Sequence, residues 1–173
     1  MNDIDKEVFL EELIIRKELA DNFCLYSKSF KDFSSIPNWA KISLNNHSLD
    51  IRPFLFSPLV LEQAKTKDKL WNATQVQLMR EGVIHGYLRM YWAKKILEWT
   101  QYPQEALKIA IYLNDKYAHD APSANGYVGI LWAIGGLHDR AFADFPIMGK
   151  IRRMTYNSIK RKQDLSDYIK NFS

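Results

Sequence analysis

The run from Leu70 to Thr100, LWNATQVQLMREGVIHGYLRMYWAKKILEWT, constrains the chain more than any other stretch. Its spacing predicts two helices joined by a break at Glu81-Gly82, with Asp68 as the N-cap of the first and Gly82 ending it. Trp92 and Trp99 are seven residues apart. Two helical turns put them on one face, about 10 Å apart along the axis. Arg89 lies one turn before Trp92 on nearly the same side. Indoles at this spacing usually mean core packing; the other reading is a relay for single electrons, because indole is among the most easily oxidised side chains. The spacing does not choose between the two.

A length of 173 residues fits one domain able to bury a core. Only seven glycines and six prolines punctuate it, so long helices are expected. No alternating strand pattern and no repeat is visible, and the fold class expected is an all-α, multi-helix bundle over residues 1–173. The single cysteine, Cys24, excludes an internal disulfide and a cysteine-rich metal site. His119 and His138 have no partners at metal-ligand spacing, so no metal is expected. No apolar run reaches the roughly 18 residues of a membrane span and no signal peptide is present, which predicts an intracellular protein without a membrane partner. A net charge of +4 permits nucleic-acid binding without demanding it.

Along the chain, Asp5–Tyr26 reads as one amphipathic helix, broken near Asp21-Asn22, with Glu11 and Glu12 spaced to pair with Arg16 and Lys17. Residues 27–58 read as loops and brief helices, one near Pro37–Asn45, and His47 as a surface residue. Further helices are expected from Ser57 or Pro58, over Ile84–Thr100, and from Pro103. Asn125-Gly126 reads as a turn, and Asp139 with Arg140 as an ion pair. Lys150, Arg152, Arg153, Lys160, Arg161 and Lys162 form a basic strip suited either to phosphates or to a solvated helix face.

The block WNATQVQLMREGVIHGYLRMYWAKKILEW resembles the flavin-binding helical domain of DNA photolyases, specifically class II cyclobutane pyrimidine dimer photolyases. EELIIRKELADNFCLYS upstream, and YLNDKY, NGYVGILWAIGGLHDRAF and GKIRRM downstream, extend the resemblance in order from about Phe9 to Lys162. Ile15 stands where class I enzymes carry a tryptophan, a departure typical of class II.

The resemblance implies the C-terminal part of the flavin domain, with an antenna domain and the loop for the flavin phosphates upstream of Asp3. It implies FAD as cofactor, dimer-containing DNA as partner, and a monomer in the full-length form. Trp92, Trp71 and Trp99 would pass electrons to the flavin, in that order outward. Asn72, Arg89, Asn114, and Asp115 or Asp120 would line the flavin, one of the two aspartates pairing with Arg89. Glu12, Met90 and Trp132 would contact the flipped dimer, and Lys150, Arg152 and Arg153 the phosphates. The activity implied is light-driven dimer splitting; the alternative is a photolyase-derived module without repair activity, binding DNA or a protein partner. A photosensor reading would lose the dimer contacts Glu12, Met90 and Trp132.

Overall fold

The computed structural model describes residues 3–161 and 165–173. Among the described residues there are helices and turns and no strand beyond a single bridge, Phe145 to Gly149. The order is α1 (Asp3–Leu10), a π-helical turn (Glu11–Arg16), α2 (Lys17–Tyr26), a 3₁₀ turn (Phe33–Ser35), α3 (Asn38–Asn46), α4 (Pro58–Glu62), α5 (Lys69–Glu81), α6 (Gly86–Glu98), α7 (Pro103–Tyr117), α8 (Ala124–Gly135), α9 (Tyr156–Lys160) and α10 (Ser166–Asn171). This is the all-α bundle expected.

The boundaries follow local chemistry. Asp68 caps α5 by accepting the Trp71 N–H, and Gly82 ends it at φ +66°. A Cβ on Gly82 would also sit 2.2 Å from the His119 ring, so glycine is required there twice over. The His85 side chain caps α6 by accepting the Tyr87 N–H, so the helix begins two residues later than Ile84. Ser123 caps α8, which places Asn125-Gly126 inside its first turn rather than in a loop. The Asp21-Asn22 break is absent; the irregularity lies at Glu11–Arg16 instead.

α8 is apolar on nearly every side, and it is accordingly packed by α2, α6 and α7. Leu113, Ile130, Leu131, Ile96 and Leu97 are fully buried where these helices meet. Truncating any one to alanine should cost about 2–5 kcal/mol. α5 closes the other side of α6 and is covered by α10. By contrast α1 and the π turn leave Val8, Phe9, Leu13, Ile14 and Ile15 about half exposed, apolar surface that the described residues leave uncovered.

Candidate functional site

Three helical stripes face one hollow. Gly86, Arg89, Met90 and Ala93 recur at three- and four-residue spacing on α6, Asn125, Gly129 and Trp132 do so on α8, and Glu12, Arg16 and Leu19 do so across the π turn and α2. They enclose a cavity of about 280 Å³. A second cavity of about 660 Å³ adjoins it, sharing Glu12, Arg16, Gly86, Met90 and Trp132 and adding Lys94, Asp139 and Arg152. Residues more than a hundred positions apart thus share one concave face. Gly86 and Gly129 need no left-handed backbone, and a Cβ on either would meet nothing within 4 Å. Their missing side chains therefore keep the floor of the hollow clear.

The π turn shapes the rim. The wider i→i+5 step of a π turn puts Arg16 beside Glu11, at 2.9 Å, rather than beside Glu12. Glu12 is left exposed on the cavity wall with no hydrogen-bond partner among the described residues. The Arg16 guanidinium lies over the half-buried Trp132 ring, 5.0 Å from its centroid. Lys17 pairs instead with Asp21 at 2.7 Å.

Arg89 meets Asp120 in a two-pronged contact, both distances 3.4 Å. Its Nε is buried without a hydrogen-bond partner among the described residues, as is that of Arg16. Asp115 is committed elsewhere, accepting from the Tyr127 hydroxyl at 2.9 Å and from the Asn114 amide at 3.3 Å. Asn114 is buried behind Gly126, where a Cβ would lie 3.0 Å from its Nδ2. Asn72 stands apart: its amide pins Thr66, donating to the carbonyl at 2.9 Å and accepting from the backbone N–H and the hydroxyl.

The three indoles of α5 and α6 form one row. Trp92 and Trp71 are parallel at 6.5 Å between centroids, and Trp71 meets Trp99 edge-on at 5.5 Å. All three are buried. Trp92 donates to Gln75 Oε1 at 2.8 Å, and Trp71 donates to the Trp92 carbonyl at 2.9 Å. Trp99 ends the row at a separate groove of about 470 Å³, lined also by Phe54, Phe56 and Lys95.

Lys150, Arg152 and Arg153 are exposed on the segment after α8. Arg152 and Arg140 both lie over the Phe142 ring, and Arg153 over Phe145. The Asp139–Arg140 ion pair is not formed: Asp139 accepts the Arg140 backbone N–H at 2.9 Å, because the guanidinium turns to Phe142. Lys160 and Arg161 lie farther on, at α9, and Lys162 falls outside the described residues.

Sequence reasoning missed Lys94. It is 3% exposed, donates to the Ala133 carbonyl at 2.8 Å and lines the larger cavity. Burial pushes its pKa down to about 8, with Asp139 opposing and Arg152 reinforcing the shift. Lysine at the Ala93-Lys94 step of an otherwise apolar face was the available signal. Among the described residues no group of three acidic, histidine or cysteine side chains could hold a metal, and no helix is long and apolar enough to cross a membrane.

No family model matches the chain. It is 51% identical over 165 residues to the deoxyribodipyrimidine photo-lyase of Potorous tridactylus, covering 95% of this chain and 31% of that protein. The photo-lyase of Oryza sativa is 51% identical over 163 residues, covering 94% and 32% respectively. That of Methanothermobacter thermautotrophicus is 47% identical over 161 residues, covering 93% and 36%. The chain thus spans about a third of the length of the curated relatives it matches, and over that third it is similar, along nearly all of its own residues, to deoxyribodipyrimidine photo-lyases.

Proposed function

We propose that this chain is the C-terminal flavin-domain portion of a class II cyclobutane pyrimidine dimer photolyase, acting inside the cell on DNA that carries such dimers. The observation that carries the reading is the convergence of Glu12, Met90, Trp132 and Arg89 on one concave face.

The hollow fits FAD on two counts. Arg89 offers a buried Nε with no partner among the described residues, and Gly86 and Gly129 leave the floor free for a flat ring. Arg89, held by Asp120, would bind beside the ring, with Asn114 and Asp115 supporting the wall behind Gly126. Asn72 would act at one remove, by fixing the loop before α5. When bound and reduced, FAD supplies one electron on absorbing light and recovers it once the dimer has split.

The chain's own residues position and screen. The Trp132 face receives a flipped base by stacking, which requires the Arg16 guanidinium to slide or stack along with it. Met90 bounds the pocket, and Glu12, without a hydrogen-bond partner among the described residues, would donate to a pyrimidine carbonyl in its protonated, carboxylic acid form. The row Trp92, Trp71, Trp99 gives an electron route from the flavin side to the groove at Phe54. Lys150, Arg152 and Arg153 face the phosphate backbone.

The test uses the purified chain with FAD, a reductant and a dimer-containing oligonucleotide. Light-dependent loss of dimers, abolished in Trp132→Ala, supports the reading. Flavin binding without dimer loss in either protein would instead favour a photolyase-derived module without repair activity.

A further inference from the structure

His47 ends α3 and sits between two carboxylates. Its Nδ1 is 2.6 Å from Asp50 Oδ2, and its Nε2 is 3.1 Å from Asp144 Oδ1, 97 residues away. Ionised carboxylates only accept hydrogen bonds, so both ring nitrogens must carry hydrogens for both bonds to form. The bridging ring is therefore an imidazolium. The neutral ring has one N–H and can keep one of the two bonds.

What the bridge holds is the loop between α8 and α9. Asp50 Oδ2 also accepts the Ile147 N–H at 2.7 Å, and Ser43 Oγ accepts the Lys150 N–H at 2.8 Å. The loop closes on itself through the paired Phe145 and Gly149 backbones and the Phe142 N–H to Lys150 carbonyl bond. Gly149, at φ +52°, packs so closely that a Cβ would fall 2.2 Å from Ser43 Oγ. Both ends of this loop, Asp139 and Arg152, line the larger cavity. Its attachment to α3 therefore sets where those two side chains stand.

We propose that His47, as an imidazolium, is a positioning residue for this loop: by bridging Asp50 and Asp144 it holds residues 139–152 in register with the cavity and presents Arg152 and its basic neighbours outward. The charged groups facing it are Asp50 three residues on, whose own charge neighbour is Arg52, and Asp144 and Lys150 across the cleft. The hydrogen bond to Asp50 holds its pKa above the ordinary histidine value; burial, the next largest effect, opposes it, and the charges of Asp50 and Asp144 add to the rise. A folded pKa above the unfolded one makes the clamp complete below about 6.5 and loses it as pH rises through the folded value.

The partner chemistry, a phosphate backbone, rests on the function proposed above; the clamp itself does not. Two-dimensional NMR of the chain gives the His47 titration, and hydrogen exchange gives the protection of the Ile147 and Lys150 amides over the same pH range. Protection should fall about fivefold to tenfold, the worth of one hydrogen bond, as His47 loses its proton. In His47→Gln it should be low at every pH, and in the surface variant Asp144→Asn the pH response should shrink. Titration of His47 at its ordinary value, or loop protection in His47→Gln equal to wild type throughout, would overturn the proposal. Anisotropy with a fluorescent duplex separates the two claims. Affinity that follows the loop supports both, whereas flat affinity over a responding loop leaves the clamp standing and removes the strip from the DNA interface.

Discussion

The Trp71 and Trp92 rings lie within 2° of parallel, with 6.5 Å between their centroids, although one is carried by α5 and the other by α6. Both are fully buried, and each indole N–H is satisfied, one by the Trp92 carbonyl and one by Gln75. The pair is a core element first. Trp92→Phe keeps most of the apolar area but strands Gln75 Oε1, and should cost about 1–3 kcal/mol in denaturant unfolding. Trp71→Ala opens a cavity and should cost about 3–5 kcal/mol. A Trp92→Phe protein that unfolds like wild type would show that the Gln75 bond contributes nothing.

Asp68 has two tasks. It caps α5 through the Trp71 N–H at 3.0 Å, and it accepts the Tyr91 hydroxyl. Asp68→Ala should lose a cap worth about 0.5–2 kcal/mol and leave a buried phenol unpaired at about 1–3 kcal/mol more. Burial first, and then the Asp68 charge, push the Tyr91 pKa far above the usual phenol range. Absorbance should therefore show Tyr91 un-ionised up to the alkaline unfolding transition.

Much of the scaffold was legible before the fold. Pro103, the Asp68 cap and the Gly82 stop carry explicit backbone signals, and α5 to α7 begin or end close to them. The indole row needed the packing of α5 on α6, which no spacing within one helix encodes. The π turn was unreadable because its residues, EELIIR, suit an ordinary helix. His47 read as a surface residue because its partner Asp144 is 97 positions away. Asp139 and Arg140 read as a pair because sequence shows adjacency and not the ring of Phe142 that draws the guanidinium off. Only the packed helices bring Arg89 to Asp120 while Tyr127 takes Asp115; the sequence leaves both aspartates open.

Lys94 makes a pH prediction of definite sign. Its folded pKa of about 8 lies below the unfolded value of 10.5, so between those limits the unfolded chain binds more protons. Stability contributed at this site must then rise with pH across that window, by roughly 3 kcal/mol in total. Lys94→Met removes the titration, and the difference in unfolding free energy between wild type and variant should shift in favour of wild type from pH 8 to 10.5. A constant difference would mean that the ammonium is not desolvated.

Arg89 and Asp120 separate stability from binding. The Asp120 side chain is 49% exposed, so the pair should contribute no more than about 1 kcal/mol to folding. Asp120→Asn should melt near wild type while weakening flavin retention, because Arg89 loses its orientation. Asp115→Asn should instead destabilise, acting through Tyr127 on the packing of α7 against α8, and weaken flavin retention less than Asp120→Asn does. Equal effects of both variants on flavin would contradict this division.

Titration of FAD into the purified chain, followed by quenching of flavin fluorescence and run beside Arg89→Ala, tests the central claim most directly. The account predicts saturable binding that weakens about tenfold or more in the variant, the worth of one or more charge-assisted hydrogen bonds. Binding that never saturates, or that is the same with and without Arg89, would contradict it.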